Sequence, residues 1–338
     1  MKKKILTLLL GVSLLLAGCS QQEQKAKEPS ENLQTTVSEA VEVTETTENT
    51  AATTESTEQT IIVNQIVFTD MMDREIQLDA PAEKIVILSP ADCEILFAID
   101  AGDKLIGRGE YCNYPEDVLK VDSITSGSET NIEQIIGLQP DILIMSSMAQ
   151  TVEQVKQLED AGIPVAVSES QDIEGLYAAI EMLGKITGNE MEAKVLAEDL
   201  KEGFAAIVEK IPQDQDVKTI YFEVSPLEYG LWSLGSGTFM HELAELVGLE
   251  NILSDISGWA EVSQEQIIER NPDFIITTST YMGSGPLPDE EIISRAGWSD
   301  ISAIKNNAVF AVDTDIFSRA GPRLLDAATV LYEYIYGE

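Results

Sequence analysis

The stretch NIEQIIGLQPDILI, Asn131 to Ile144, returns 132 positions later as SQEQIIERNPDFII, Ser263 to Ile276. In each copy a short polar residue, Asn131 or Ser263, stands three before a glutamine, Gln134 or Gln266, which is the spacing of a capping box at a helix start. Each copy then passes a Pro-Asp pair, Pro140-Asp141 or Pro272-Asp273, into an apolar run that reads as a buried strand. One local unit built twice constrains the chain to two similar halves. Glu133 and Glu265 fall in the first turn of the two helices, where a carboxylate suits the positive end of the helix dipole. That accounts for a glutamate in each place but not for the recurrence of the whole unit.

The surrounding sequence says what the halves are made of. QIVFTDMMDREIQL has two alternating segments about DMMDR, as a hairpin would. From KIVIL onward strand and helix signals alternate: ADCEILFAID, KLIGRG, DILIM, VEQVKQLEDAG and IPVAVS. That order implies right-handed βαβ units and a mainly parallel sheet. A second series starts at KTIYFEV and runs through TFMHELAELVG, the second copy of the repeat and AIKNNAVFAVD to the terminal helix RLLDAATVLYEYIYG. Between the two lies the longest helical pattern, Asn189 to Ile211, with its apolar stripe at Leu196, Leu200, Phe204, Ile207, Val208 and Ile211. At about 1.5 Å per residue it would run roughly 35 Å. The expectation is two α/β lobes with mainly parallel sheets, residues 65–188 and 212–338, joined by a single long helix over 189–211.

The N-terminus sets the compartment. MKKK is basic, ILTLLLGVSLLLAG is an apolar run too short to span a bilayer comfortably, and LLAGC closes it at Cys19. This order resembles a bacterial lipoprotein signal, which implies removal of residues 1–18, lipidation of Cys19 and an extracytoplasmic protein anchored to the cell membrane. Glu28 to Thr60 holds eight Glu and ten Thr with no Lys, Arg or aromatic residue. It cannot bury enough apolar area to offset its conformational entropy, so residues 19–64 read as an anchor and a disordered tether. A formal charge of −38, from 59 acidic against 21 basic residues, excludes a nucleic-acid partner held through phosphates.

From Lys84 to the C-terminus the chain resembles the metal-chelate and cobalamin class of substrate-binding proteins of bacterial ABC importers. The resemblance is carried by LSPADCEILFAIDAGDKLIGRGEYCNYPE, NIEQIIGLQPDILI, WAEVSQEQIIERNPDFIIT and DIFSRAGPRLLDAA. It implies two α/β lobes bridged by one long helix and a ligand held between them: an iron chelate, haem or cobalamin. It also implies one surface glutamate per lobe, matched here by Glu133 and Glu265, pairing with arginines of a permease dimer. A permease of two similar subunits presents two similar basic sites, and a monomeric carrier docks symmetrically only by carrying two similar acidic ones. No catalysis, cofactor or resident metal follows from the resemblance. An extracytoplasmic enzyme or an adhesin-like surface protein on the same fold is the alternative.

Ligands of parallel α/β sheets lie where loops at the C-terminal strand ends converge. That places Ser89, Pro90, Tyr111 and Tyr114 on the N-terminal side of a cleft, and Trp232, Trp259, Tyr281 and Arg319 on the other. Tyr111, Trp232, Trp259 and Arg319 match cleft positions of the family, and Tyr281 is placed by its position after FIITTS. Aromatic faces with one arginine suit a large, flat, partly anionic ligand. Two further cleft tryptophans of the cobalamin-binding relative align here with Gly127 and Ser146. His241 is the one histidine and reads as a surface or satisfied helix residue, which argues against a His-rich metal site or a His-based triad. GSGTF, Gly235 to Phe239, opens a helix as a tight turn or an anion-binding turn. Cys93 and Cys112 remain as an even pair whose bridging the spacing leaves open.

Overall fold

The computed structural model describes residues 65–127, 129–146, 151–212, 216–280 and 285–337. The signal peptide, Cys19, the tether and Tyr281 lie outside these residues.

The first strands, β1 (Ile66–Thr69) and β2 (Glu75–Leu78), pair antiparallel. Asp70 organises the turn between them. Its carboxylate accepts the Met72 and Arg74 amides at 3.0 and 2.9 Å, the Arg74 guanidinium at 2.9 and 2.7 Å, and the Val167 amide at 3.0 Å. Burial alone would raise its pKa, but these donors together hold it below the ordinary value.

The N-terminal lobe then alternates as its sequence implies: β3 (Ile85–Ile87), α1 (Pro90–Ala98), β4 (Leu105–Gly109), β5 (Ser123–Ile124), α2 (Ile132–Leu138), β6 (Ile142–Met145), α3 (Val152–Asp160), β7 (Val165–Val167) and α4 (Ile173–Thr187). Its five strands lie parallel in the order β5-β4-β3-β6-β7. The bridging helix is α5 (Glu190–Val208). The C-terminal lobe follows with β8 (Lys218–Glu223), β9 (Leu231–Leu234), α6 (Phe239–Leu246), β10 (Leu249–Asn251), β11 (Trp259–Val262), α7 (Gln264–Arg270), β12 (Phe274–Thr277), α8 (Pro288–Ser294), α9 (Ser302–Lys305), β13 (Val309–Ala311), α10 (Thr314–Ser318) and α11 (Leu324–Tyr336). Its main sheet is parallel, β10-β8-β12-β13, and β9 and β11 form a separate antiparallel ribbon.

Strand periodicity divides the interior. Ile85, Ile87, Ile142 and Ile144 face a core that continues through α4 and α5 to Ile220, Phe222, Ile276 and Leu324 of the other lobe. Their alternates Val86, Leu143 and Met145 form an outer N-lobe core with Ile135 of α2, and Tyr221 and Ile275 form the equivalent with Ile267 of α7. The two repeat helices therefore cover the outer faces of their respective sheets.

The long helix is shorter than its sequence pattern. Leu200, Phe204 and Ile207 are buried, but Val208 is exposed and the helix ends there. The next amides tighten to bonds three residues back, Lys210 to Ile207 at 3.0 Å and Ile211 to Val208 at 3.2 Å. Ile211 precedes Pro212, and a residue before proline is pushed out of the helical region. Nineteen residues give roughly 28 Å at 1.5 Å each.

In the C-terminal lobe one arginine is buried. Arg295 donates to both oxygens of Glu223 at 2.6 and 2.7 Å, also bonds Glu291, and lies over the Trp298 ring at 4.6 Å. Burial raises the pKa of Glu223, and the guanidinium opposes that shift.

Candidate ligand cleft and docking face

The parallel strands of both lobes end at one cleft of about 770 Å³. From the N-terminal lobe β3 delivers Ser89, Pro90 and Asp92, the loop after β4 delivers Tyr111, β6 delivers Ser146, and β7 delivers Ser168 to Gln171. From the C-terminal lobe come Val224 and Ser225 after β8, Trp232 and Trp259 on the ribbon, Phe239 at the start of α6, and Asp315, Ser318, Arg319 and Ala320 around the end of α10. Strand register explains the tryptophan pair. Trp232 pairs with Glu261 and Trp259 with Leu234, so the indoles stand diagonally on one ribbon face. Tyr111, Trp232 and Trp259 are 67%, 42% and 44% exposed, leaving three aromatic surfaces for a ligand.

Six sequence candidates thus share one cavity: Ser89, Pro90, Tyr111, Trp232, Trp259 and Arg319. Tyr114 is not among its lining residues; its ring carries the Arg323 guanidinium at 4.2 Å. Arg319 lines the cleft and is already engaged by groups of the protein. It bonds Glu94 Oε1 at 3.1 Å, Asn113 Oδ1 at 2.8 Å, the Tyr111 carbonyl at 3.3 Å and Asp315 Oδ1 at 2.6 Å. Arg323 adds bonds of 2.9 and 2.6 Å to the two oxygens of Glu94. The arginines at the end of α10 and the start of α11 thereby fasten one lobe to the other. A second fastening lies elsewhere on the interface, where the Phe239 amide donates to the Gln171 carbonyl and the Ile173 amide to Glu242 Oε2, both at 2.7 Å.

The N-terminal wall has a polar feature that sequence reasoning passed over. Ser89 caps α1, and its Oγ accepts the Asp92 amide at 3.5 Å. Asp92 is 2% exposed; its Oδ1 accepts the Ser168 hydroxyl at 2.6 Å, and its Oδ2 has no partner among the described residues. Burial pushes its pKa up to about 6, against the opposing bonds from Ser168 and Ser89. The signal was the position itself: the third residue of the helix that follows a strand end in a βαβ unit.

The repeat occupies matching sites. Ile135 and Ile267 are buried, Glu133 and Glu265 exposed, and the helices close on left-handed residues, Gln139 at φ 51° and Asn271 at φ 47°. The aspartates that follow have matching tasks. Asp141 Oδ2 accepts the Glu83 and Lys84 amides at 2.9 Å each, and Asp273 Oδ2 accepts the Thr219 amide at 2.9 Å. Each ties the start of its strand to the start of the neighbour. The helix starts differ in one respect. Ser263 and Gln266 form the full capping box, whereas Gln134 turns to the Ser123 carbonyl at 3.2 Å. Asn131 does not require it, because its amide already bonds the Thr125 carbonyl.

The chain matches the periplasmic binding protein family over residues 85–316. It belongs to that family. It is 32% identical to YvrC, an ABC transporter substrate-binding lipoprotein of Bacillus subtilis (strain 168), over 99% of this chain and 98% of the relative. A solved periplasmic solute-binding protein from Staphylococcus epidermidis ATCC 12228 superposes with a TM-score of 0.66 at 28% identity, covering 76% of this chain and 99% of that one. The periplasmic vitamin B12-binding protein BtuF of Vibrio cholerae gives 0.63 at 26%, covering 75% and 97%.

Other candidates find places around the cleft of this periplasmic binding protein. Ser146 lines it with a small side chain, and Gly127 has φ 92° with open space where a side chain would stand. GSGTF is a tight turn. A side chain at Gly235 would meet the Ile256 carbonyl, and Thr238 caps α6 through the His241 amide at 3.3 Å. His241 is buried, not on the surface, with Nε2 3.4 Å from Glu245, and it does not line the cleft. Cys93 and Cys112 are buried, unbridged thiols in mutual contact, and burial pushes the Cys93 thiol well up.

Proposed function

We propose that the chain is the ligand-capturing lipoprotein of an ABC importer, taking an iron complex, haem or cobalamin between its lobes and delivering it to the membrane permease. The observation that carries this reading is the interlobe cleft of about 770 Å³ with three half-exposed or exposed aromatic faces. A space of that size suits a large ligand, and flat π surfaces suit a chelate or macrocycle. The similarity to a vitamin B12-binding protein and to a substrate-binding lipoprotein supports the same class of cargo.

Delivery needs orientation. Glu133 and Glu265 stand exposed on equivalent helices that cover the outer faces of the two sheets, and each would meet a basic site on one permease subunit. Exposed charges of this kind contribute association rate and orientation more than affinity, which suits a carrier that must leave after delivery. Cys19 would carry the lipid after loss of residues 1–18, and the acidic segment up to residue 64 would span the distance to the lobes.

Titration of tryptophan fluorescence in the full chain tests the reading, with cyanocobalamin, haemin and ferric siderophores as ligands and ligand-free metal salts as controls. Saturable quenching at submicromolar concentration by one chelate is expected. Quenching by none, or equally by bare metal, would refute it.

A further inference from the structure

The charge of the cleft bears on which chelate it takes. Among the described lining residues, Asp92, Glu169 and Asp315 are acidic and Arg319 is the one base. That arginine is already bonded to Glu94, Asn113, the Tyr111 carbonyl and Asp315, so a ligand carboxylate would find no free cation there. Glu169 accepts a bond from Gln171 at 3.1 Å and stands close enough to Asp92 to push the Asp92 pKa further up.

Asp92 supplies the positive half of the argument. A buried carboxylate oxygen lacking a donor is costly, and the great majority of such groups in folded proteins are satisfied. Here Oδ1 is served by Ser168 while Oδ2 is without a partner among the described residues, in a residue that lines the cavity. A ligand N–H brought against this wall would make good the deficit, whereas a ligand carboxylate would add like charge at a poorly solvated site. The negative faces of Trp232, Trp259 and Tyr111 favour the same sign of ligand.

We propose that the cleft selects chelates of zero or positive charge that present N–H donors, with Asp92 as the residue that discriminates against carboxylate-bearing and polyanionic ones. The inference rests on the receptor reading above and sharpens it. Two kinds of molecule share this chemistry: a corrinoid with amides around its rim, and a hydroxamate iron complex with a pendant ammonium group.

The test uses the full chain and four probes: cyanocobalamin, uncharged with rim amides; ferrioxamine B, a cation; haemin, with two propionates; and a ferric tris-catecholate, a trianion. One of the first two should bind at least roughly tenfold more tightly than either anion, and which one identifies the source of the N–H group. Asp92→Asn should weaken that ligand by roughly 10- to 100-fold. Asp92→Asn combined with Glu169→Gln should strengthen haemin binding, a gain that a misfolded variant cannot produce. Tightest binding of haemin or the tris-catecholate, or unchanged affinities in both variants, overturns this inference while leaving the receptor reading intact. Binding of none of the four by the unsubstituted chain overturns both.

Discussion

Arg319 Nη1 lies 3.1 Å from Glu94 Oε1 and joins the last quarter of the chain to the first helix of the N-terminal lobe. Glu94 is 3% exposed and receives three bonds from Arg319 and Arg323. Two guanidiniums are held at this interface by one carboxylate, with Asp315 of α10 paired to Arg319 at the end of that helix. Removing that carboxylate leaves cations in a poorly solvated place, a situation that costs about 3–5 kcal/mol where it has been measured in buried pairs. Glu94→Ala should destabilise the folded unit by that order, and Glu94→Gln by less, because an amide oxygen still accepts. Urea denaturation checks both; equal stability of Glu94→Ala and the unsubstituted chain would show that the pair does not hold the lobes.

Trp232 and Trp259 contribute little to the core because nearly half of each surface is exposed. Trp232→Ala and Trp259→Ala should therefore leave the melting temperature within a few degrees, yet each should weaken ligand binding roughly tenfold or more through lost stacking area. Isothermal titration with the ligand found by fluorescence measures both, and it does not depend on the indole that each variant removes. Unchanged affinity in both would move the ligand away from the ribbon.

Much of this was legible in the sequence, for identifiable reasons. Strands buried on both faces, such as Ile85–Ile87 and Ile142–Met145, print as unbroken apolar runs, and the hairpin of β1 and β2 prints as two alternating segments about DMMDR. The repeat fixed the correspondence between lobes, down to Asp141 and Asp273. What the sequence concealed depends on partners distant in the chain. Arg319 reads only as a cleft arginine, and its bonds are hidden because Glu94, Asn113 and the Tyr111 carbonyl come from more than 200 positions away. Tyr114 reads as a cleft aromatic because nothing local shows Arg323 above its ring. The fifteen-residue α4 has no counterpart in the sequence reading, and Gly175 and Gly184 inside it lower its helix propensity. Gly184 is required by packing, since a side chain there would meet Ala193 of α5.

The paired glutamates give a prediction that separates docking from capture. Glu133→Ala and Glu265→Ala remove exposed carboxylates from helices on the outer faces of the sheets, away from the lining residues of the cleft. Ligand affinity should stay within about twofold, while uptake into cells or permease-containing vesicles should fall, more for the double variant than for either single one. Raising ionic strength should reduce uptake by the unsubstituted chain in the same direction, because exposed charges are screened over about 10 Å at 0.1 M salt. Weakened capture with intact transport would place these residues in the wrong role.

Asp92 should leave a signature in stability even without ligand. Burial pushes its folded pKa up to about 6, above the ordinary 3.8 that it regains on unfolding. Between those values the native protein holds a proton that the unfolded chain has released, so stability falls as pH rises from about 4 to about 6 and stays lower above that. About two pKa units correspond to at most about 3 kcal/mol. Asp92→Asn keeps the shape and an acceptor for Ser168 but cannot ionise. Relative to the unsubstituted chain it should match near pH 4 and gain stability progressively up to pH 7, by an amount of order 1–3 kcal/mol. Melting curves of both proteins across pH 4 to 7.5 read this difference directly, and subtraction removes the titration of all other groups. A difference independent of pH would show that Asp92 is solvated or partnered in the folded protein, and the ligand-facing role assigned to its free oxygen would fall with it.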